Sequence, residues 1–103
     1  MPSHTPWESV DTPTEDELRE MMTGEGLSPE RWTANDGHRF DVHQHDYHKV
    51  IYCVDGSIWF TFPDDPDTVI ELEPGDRLDL PAGIRHGALA GMAGVVCLEA
   101  RKD

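Results

Sequence analysis

Three histidines framed by glycines and a proline constrain this chain more than any other feature. Gly37, His43, His45, Lys49 and Gly56 follow the spacing G-x5-H-x-H-x3-K-x6-G, and Gly75, Pro81, Gly83 and His86 follow G-x5-P-x-G-x2-H. On a strand, residues i and i+2 share a face and lie about 7 Å apart, so the imidazoles of His43 and His45 can point the same way. Two such rings can converge on one ion at nitrogen-to-metal distances of about 2.1 Å. A third ring, from a separate turn-framed segment, completes the arrangement by which a small β-barrel holds a divalent metal.

The rest of the chain fits such a barrel. Residues 1 to 11 are polar and interrupted by proline, and read as a loose tail that Trp7 alone could dock. Thr12-Pro13-Thr14-Glu15 signals a helix start, with Thr12 as N-cap, Pro13 in the first turn and Glu15 in the capping-box place. Leu18, Met21 and Met22 form a narrow apolar stripe, and Gly24 or Gly26 ends the helix. Residues 1–35 are thus expected to be a tail and short helix packed on a barrel of residues 36–103, within a single domain.

From about Trp32 onward the pattern becomes short β segments separated by turns, over 38–45, 49–55, 57–62, 68–72, 77–80, 85–90 and 94–99. Glu73-Pro74-Gly75-Asp76 suits a type II turn. Asp55-Gly56 reads as a two-residue hairpin. That register places Lys49, Ile51, Cys53, Ile58, Phe60 and Phe62 on one, mostly apolar, face, so Lys49 is expected to point inward and His48 outward. On the reverse, Tyr52, Val54 and Trp59 make an apolar patch of the kind that meets a second subunit, so a homodimer is expected. Alternation on the preceding strand sets His43 and His45 on one face, with Phe40 and Val42 behind them. The helix stripe, Trp32 or a second subunit could cover that pair.

Gly37, His43, His45 and Gly56 resemble the first motif of the cupin superfamily, G-x5-H-x-H-x3,4-E-x6-G. Gly75, Pro81, Gly83 and His86 resemble the second, G-x5-P-x-G-x2-H-x3-N. The resemblance spans residues 37 to 90 and implies an all-β fold: a small double-sheet antiparallel β-barrel, jelly-roll-like, with one short N-terminal α-helix added. It also implies that His43, His45 and His86 face the barrel cavity around a divalent transition metal such as iron, manganese, nickel, zinc or copper. Lys49 stands where the family has its glutamate ligand, and Ala90 where the second motif ends in asparagine. A lysine ammonium cannot ligate a cation. Lys49 is therefore either an inward lysine paired with a carboxylate such as Asp41, or a catalytic base or clamp for an anionic substrate. His48 is a surface residue unless a bulge swings it inward. His4, His38, Arg77, Asp79 and Arg85 read as solvated positions.

Composition narrows the partners. With 21 acidic against 8 basic residues, the net charge of −13 repels nucleic acid and anionic membrane surfaces. The first residues have neither the basic start nor the apolar run of a signal peptide, so a cytoplasmic protein is expected. Cys53 and Cys97 read as small core residues. Three functions remain: a metal-dependent oxygenase, isomerase or hydrolase acting on a small molecule; a non-catalytic sensor or storage barrel; and a metal-free barrel binding an anionic metabolite.

Overall fold

In the computed structural model, which describes residues 1–102, strands β1 (Ser3–Thr5), β2 (Glu30–Ala34), β3 (Arg39–His43), β4 (His48–Thr61), β5 (Val69–Leu72), β6 (Arg77–Leu80) and β7 (His86–Lys102) form one antiparallel system. A single helix, α1 (Glu15–Gly24), precedes β2. The two long strands organise it. The first half of β4 lies between β6 and β7, and its second half between β5 and β7. Likewise β7 passes from a place between β3 and β4 to one between β2 and β4. Strands that change neighbours midway wrap the sheet into a small two-layered β-barrel.

Asp55-Gly56 is not the hairpin that its composition suggests. β4 runs straight through it, with Cys53 opposite Cys97, Asp55 opposite Val96 and Gly56 opposite Val95. A bulge at Val54 does what the turn was expected to do. It shifts the alternation by one residue, so Cys53 and Ile58 still face the same way. Hence the inward set survives: Ile51, Cys53, Ile58, Phe60 and Phe62 all lie in the main core with Leu72, Leu78 and Leu80. Gly56 does adopt the positive φ, 77°, that a turn would have needed. Here it allows close approach, because a Cβ would run into the Gly94 carbonyl oxygen.

The outer face of β4 is covered from within the chain. Leu18, Met22 and Leu27 pack on Val50, Tyr52, Leu98 and Ala100, with Val54 at the margin. Of the patch expected to meet a second subunit, Tyr52 is covered by α1 with Val54 at its margin, while Trp59 lies outside that cluster and is half-buried. Met21 turns away at 43 % exposure, which narrows the stripe to Leu18 and Met22. The helix also starts two residues later than expected. Thr14 is the N-cap, and a capping box joins it to Glu17, because the segment holds two overlapping T-x-x-E frames and the second is the one used. At the far end Gly26 N–H donates to Thr23 O and Leu27 N–H to Met22 O, a Schellman close that presses Leu27 onto Met22.

The N-terminal tail is also tied down. Ser3–Thr5 pairs with β6, Trp7 N–H donates to Asp76, and the Trp7 indole lies over Gly75. The 73–76 turn closes as expected, with Asp76 N–H donating to Glu73 O. Cys53 and Cys97 are free, buried and opposite each other, and their mutual hydrogen bond together with burial pushes the Cys97 thiol well above its usual range.

Arg77 and Asp79 are not simply solvated. Arg77 donates to Asp79, Glu25 and the Tyr52 hydroxyl, and His48 bonds Asp79 at 2.8 Å, so His48 is half-buried and engaged. This network fastens the end of α1 to the sheet. The Arg77 bond holds Glu25 below its ordinary 4.5. For Asp79, burial works upward, but the hydrogen bonds from Arg77 and His48 outweigh it and leave the group below 3.8.

Two outcomes follow for stability. Leu18→Ala should lower unfolding free energy by about 2–5 kcal/mol, and Gly56→Ala by about 3 kcal/mol or more, both read from urea melts. Carboxylates depressed in the folded state stabilise it above their unfolded pKa and lose that contribution as pH falls through the folded value. Urea midpoints of the wild type should therefore drop steeply below the ordinary values of 4.5 and 3.8. Arg77→Leu should flatten that limb, and an unchanged slope would refute the network's role.

Candidate metal centre

The two histidine-bearing segments meet edge to edge. On paired strands β3 and β7, His43 stands directly opposite His86. β3 ends at His43, so His45 lies in the following bend and not on the strand. Its placement comes from the second motif: after Pro81, Gly83 takes φ 82° and donates its N–H to the His45 carbonyl at 2.8 Å. The three imidazoles consequently cluster, with ring centroids 4.5 Å apart for His43 and His86, 4.9 Å for His43 and His45, and 5.5 Å for His45 and His86. Their candidate ligand nitrogens all lie within 4.8 Å of one another.

Hydrogen bonds select the nitrogens that face inward. His43 Nδ1–H donates to Asp41 O at 2.8 Å, and His86 Nδ1–H to Ile84 O at 2.9 Å. A carbonyl only accepts, so each Nδ1 carries the proton and each Nε2 keeps its lone pair, the arrangement that orients metal-binding histidines. His45 Nε2 is buried with no hydrogen-bond partner. Burial lowers the pKa of His86 against the opposing effect of its Ile84 bond. Burial, then the neighbouring Lys49 and His43 charges, lower that of His45. Two rings biased toward the neutral form by burial, His45 and His86, and one Nε2 left without a partner make a donor set that, with His43, fits a divalent transition metal.

Lys49 faces the interior as expected, only 8 % exposed. Its partner is not Asp41 but Glu99, with Nζ to Oε2 at 3.5 Å. Register explains this: Lys49 opposes Arg101 and Ile51 opposes Glu99, so Lys49 and Glu99 are diagonal neighbours on the inward face. Beside the histidines lies a cavity of about 430 Å3. Its lining includes the polar His43, His86, Lys49 and Glu99 and the apolar Phe40, Ile51, Ile58 and Phe60.

Several of these residues escape sequence reasoning. Phe40 was expected behind the histidines, but a register shift between Phe40 and His43 turns both into the cavity and leaves Val42 49 % exposed. Trp32 packs edge-on against Phe40 at 5.5 Å and also lines the cavity. Glu99 and Trp32 sit on β7 and β2, and only the long-range pairing of those strands with β4 and with each other reveals their inward side. His48 stays outside, bonded to Asp79, and His4 and Arg85 are exposed and paired with Asp76 and Asp64. His38 is exposed, its ring edge-on to Phe40.

Comparison with known proteins gives consistent results. Residues 28–91 match the sequence model of the AraC-like ligand binding domain. No curated protein matches. Among solved structures, an RmlC-like cupin from Shewanella frigidimarina is 24 % identical, with a TM-score of 0.62 over 73 % of this chain and 64 % of its own length. KdgF from a Halomonas species is 25 % identical, with a TM-score of 0.59 over 75 % of this chain and 70 % of its own. Oxalate decarboxylase from Bacillus subtilis, which has Mn(II) centres, is 23 % identical, with a TM-score of 0.65 over 75 % of this chain and 21 % of its own. With the barrel, the motif spacing and the family match in agreement, the chain belongs to the AraC-like ligand-binding domain family and is a small cupin superfamily domain.

Proposed function

We propose that the protein holds one divalent transition metal on His43, His45 and His86 and receives a small molecule in the adjoining cavity, as a metal-dependent oxygenase or isomerase would. The observation that carries this reading is the donor set itself: two rings oriented by backbone carbonyls and a third whose Nε2 is buried without a partner. A metal so held supplies Lewis acidity and open coordination positions. The chain's own part is to favour neutral His45 and His86 by burial, to orient His43 and His86 through their Nδ1–H bonds, and to shelter the reacting molecule behind Ile51, Ile58 and Phe60. Glu99 offsets the charge of Lys49, which lessens its repulsion of the ion. The Mn(II) centres of the Bacillus subtilis relative make manganese one candidate among iron, nickel, zinc and copper.

A second reading, a ligand-binding or sensor barrel without turnover, is favoured by the family match to a ligand-binding domain. Only the first reading needs the metal, since a ligand-binding barrel can work without one. Protein purified without an affinity tag and loaded with Mn(II), Co(II) or Zn(II) should retain about one equivalent, and His86→Ala should weaken uptake at least about tenfold. Less than about a tenth of an equivalent after soaking, or equal content in the variant, would refute the site.

A further inference from the structure

The cavity has one wall that the metal reading leaves unused. Lys49 is nearly buried, and its one charged partner among the described residues, Glu99, is 3.5 Å away, beyond the length of an ordinary hydrogen bond. Its ammonium donors are thus positioned without a close acceptor. On the same inward-facing side, Trp32 Nε1–H is buried with no partner at all. Buried donors left unpaired are costly, and a ligand acceptor can relieve them. Of the charged residues lining the cavity, Arg31 is paired with Glu15, which leaves Lys49 with Glu30 and Glu99, so a divalent ion on the histidines makes the site net positive. On the same strand as Lys49, Ile51, Ile58 and Phe60 line the cavity with hydrocarbon.

We infer that the ligand of this cavity is a small organic carboxylate, its carboxylate group held between Lys49 Nζ and the histidine cluster and its apolar body lying on Ile51, Ile58 and Phe60. The inference rests on the metal reading for the second contact of the carboxylate, and on Lys49 alone for the first. A neutral sugar or amide can accept a hydrogen bond from the ammonium but brings no charge to it, and the charge-assisted bond to a carboxylate is about twice as strong. A phosphate would bring a second negative charge toward Glu99 and Glu30, so the monoanion with an apolar body fits better.

Titration calorimetry of wild type, Lys49→Met and Lys49→Arg, each with and without Co(II), tests this with benzoate, its neutral isostere benzamide, and inorganic phosphate as probes. Wild type should bind benzoate at least about tenfold more tightly than benzamide or phosphate. Lys49→Met should bring benzoate and benzamide within about twofold while taking up Co(II) at least as well, and Lys49→Arg should keep the preference. Benzamide or phosphate binding as tightly as benzoate in wild type would overturn the inference, as would a preference that persists in Lys49→Met. The wild-type comparison stands whether or not a variant folds. Absence of Co(II) uptake with the Lys49-dependent preference intact would sink the metal reading and leave the carboxylate contact. Co(II) uptake with no preference would do the reverse.

Discussion

Antiparallel pairing of β4 with β7, from His48 opposite Lys102 to Thr61 opposite Gly87, is the constraint that the other parts answer to. Its inner face supplies most of the barrel core, and its outer face supplies the surface on which α1 lies. It also sets the site, because His86 begins β7 while Lys49 lies near the start of β4 and Glu99 near the end of β7. The ladder is irregular where it must bend. Gly56 and the stretch around Gly94 meet backbone to backbone there, too closely for a side chain at Gly56. A ladder of this length closes many residues of intervening loop, so its cost in chain entropy is high and the apolar burial on both faces is what offsets it.

How much of this the sequence discloses depends on the range of the interaction. Turn chemistry at Glu73–Asp76 and the spacing within each histidine motif are local, and both are legible from residue types; that the two motifs meet, His43 opposite His86, is long-range and is legible only through the resemblance. The inward face of β4 is also legible, although for a reason other than the one it suggests: a bulge at Val54 replaces the hairpin and yields the same alternation. Asp55-Gly56 misleads because positive φ serves a bulge as well as a turn, and nothing local says which partner strand will arrive. Glu99 could not be matched to Lys49 in advance, since their proximity exists only once residues 50 apart are placed in register. The offset of the helix start has a smaller cause, two capping frames two residues apart, of which the structure uses Thr14 and Glu17.

The cavity lining is mixed: His43, His86, Lys49 and Glu99 share it with Phe40, Ile51, Ile58 and Phe60. A bound molecule would therefore meet a few polar groups within a largely apolar enclosure. Lysine at the position where a cupin glutamate is customary puts a positive group where a negative one would stand. The fold tolerates this because the Glu99 carboxylate lies diagonal to it on the adjoining strand.

The bond from Gly83 N–H to the His45 carbonyl has a consequence for how the centre forms. His45 is carried by a bend outside any strand, yet its backbone is clipped to the turn that leads into His86. Ordering of the two histidine segments is therefore accomplished by folding itself. An arriving ion would have only imidazole torsions left to adjust, so its binding energy would be free of the expense of closing a loop.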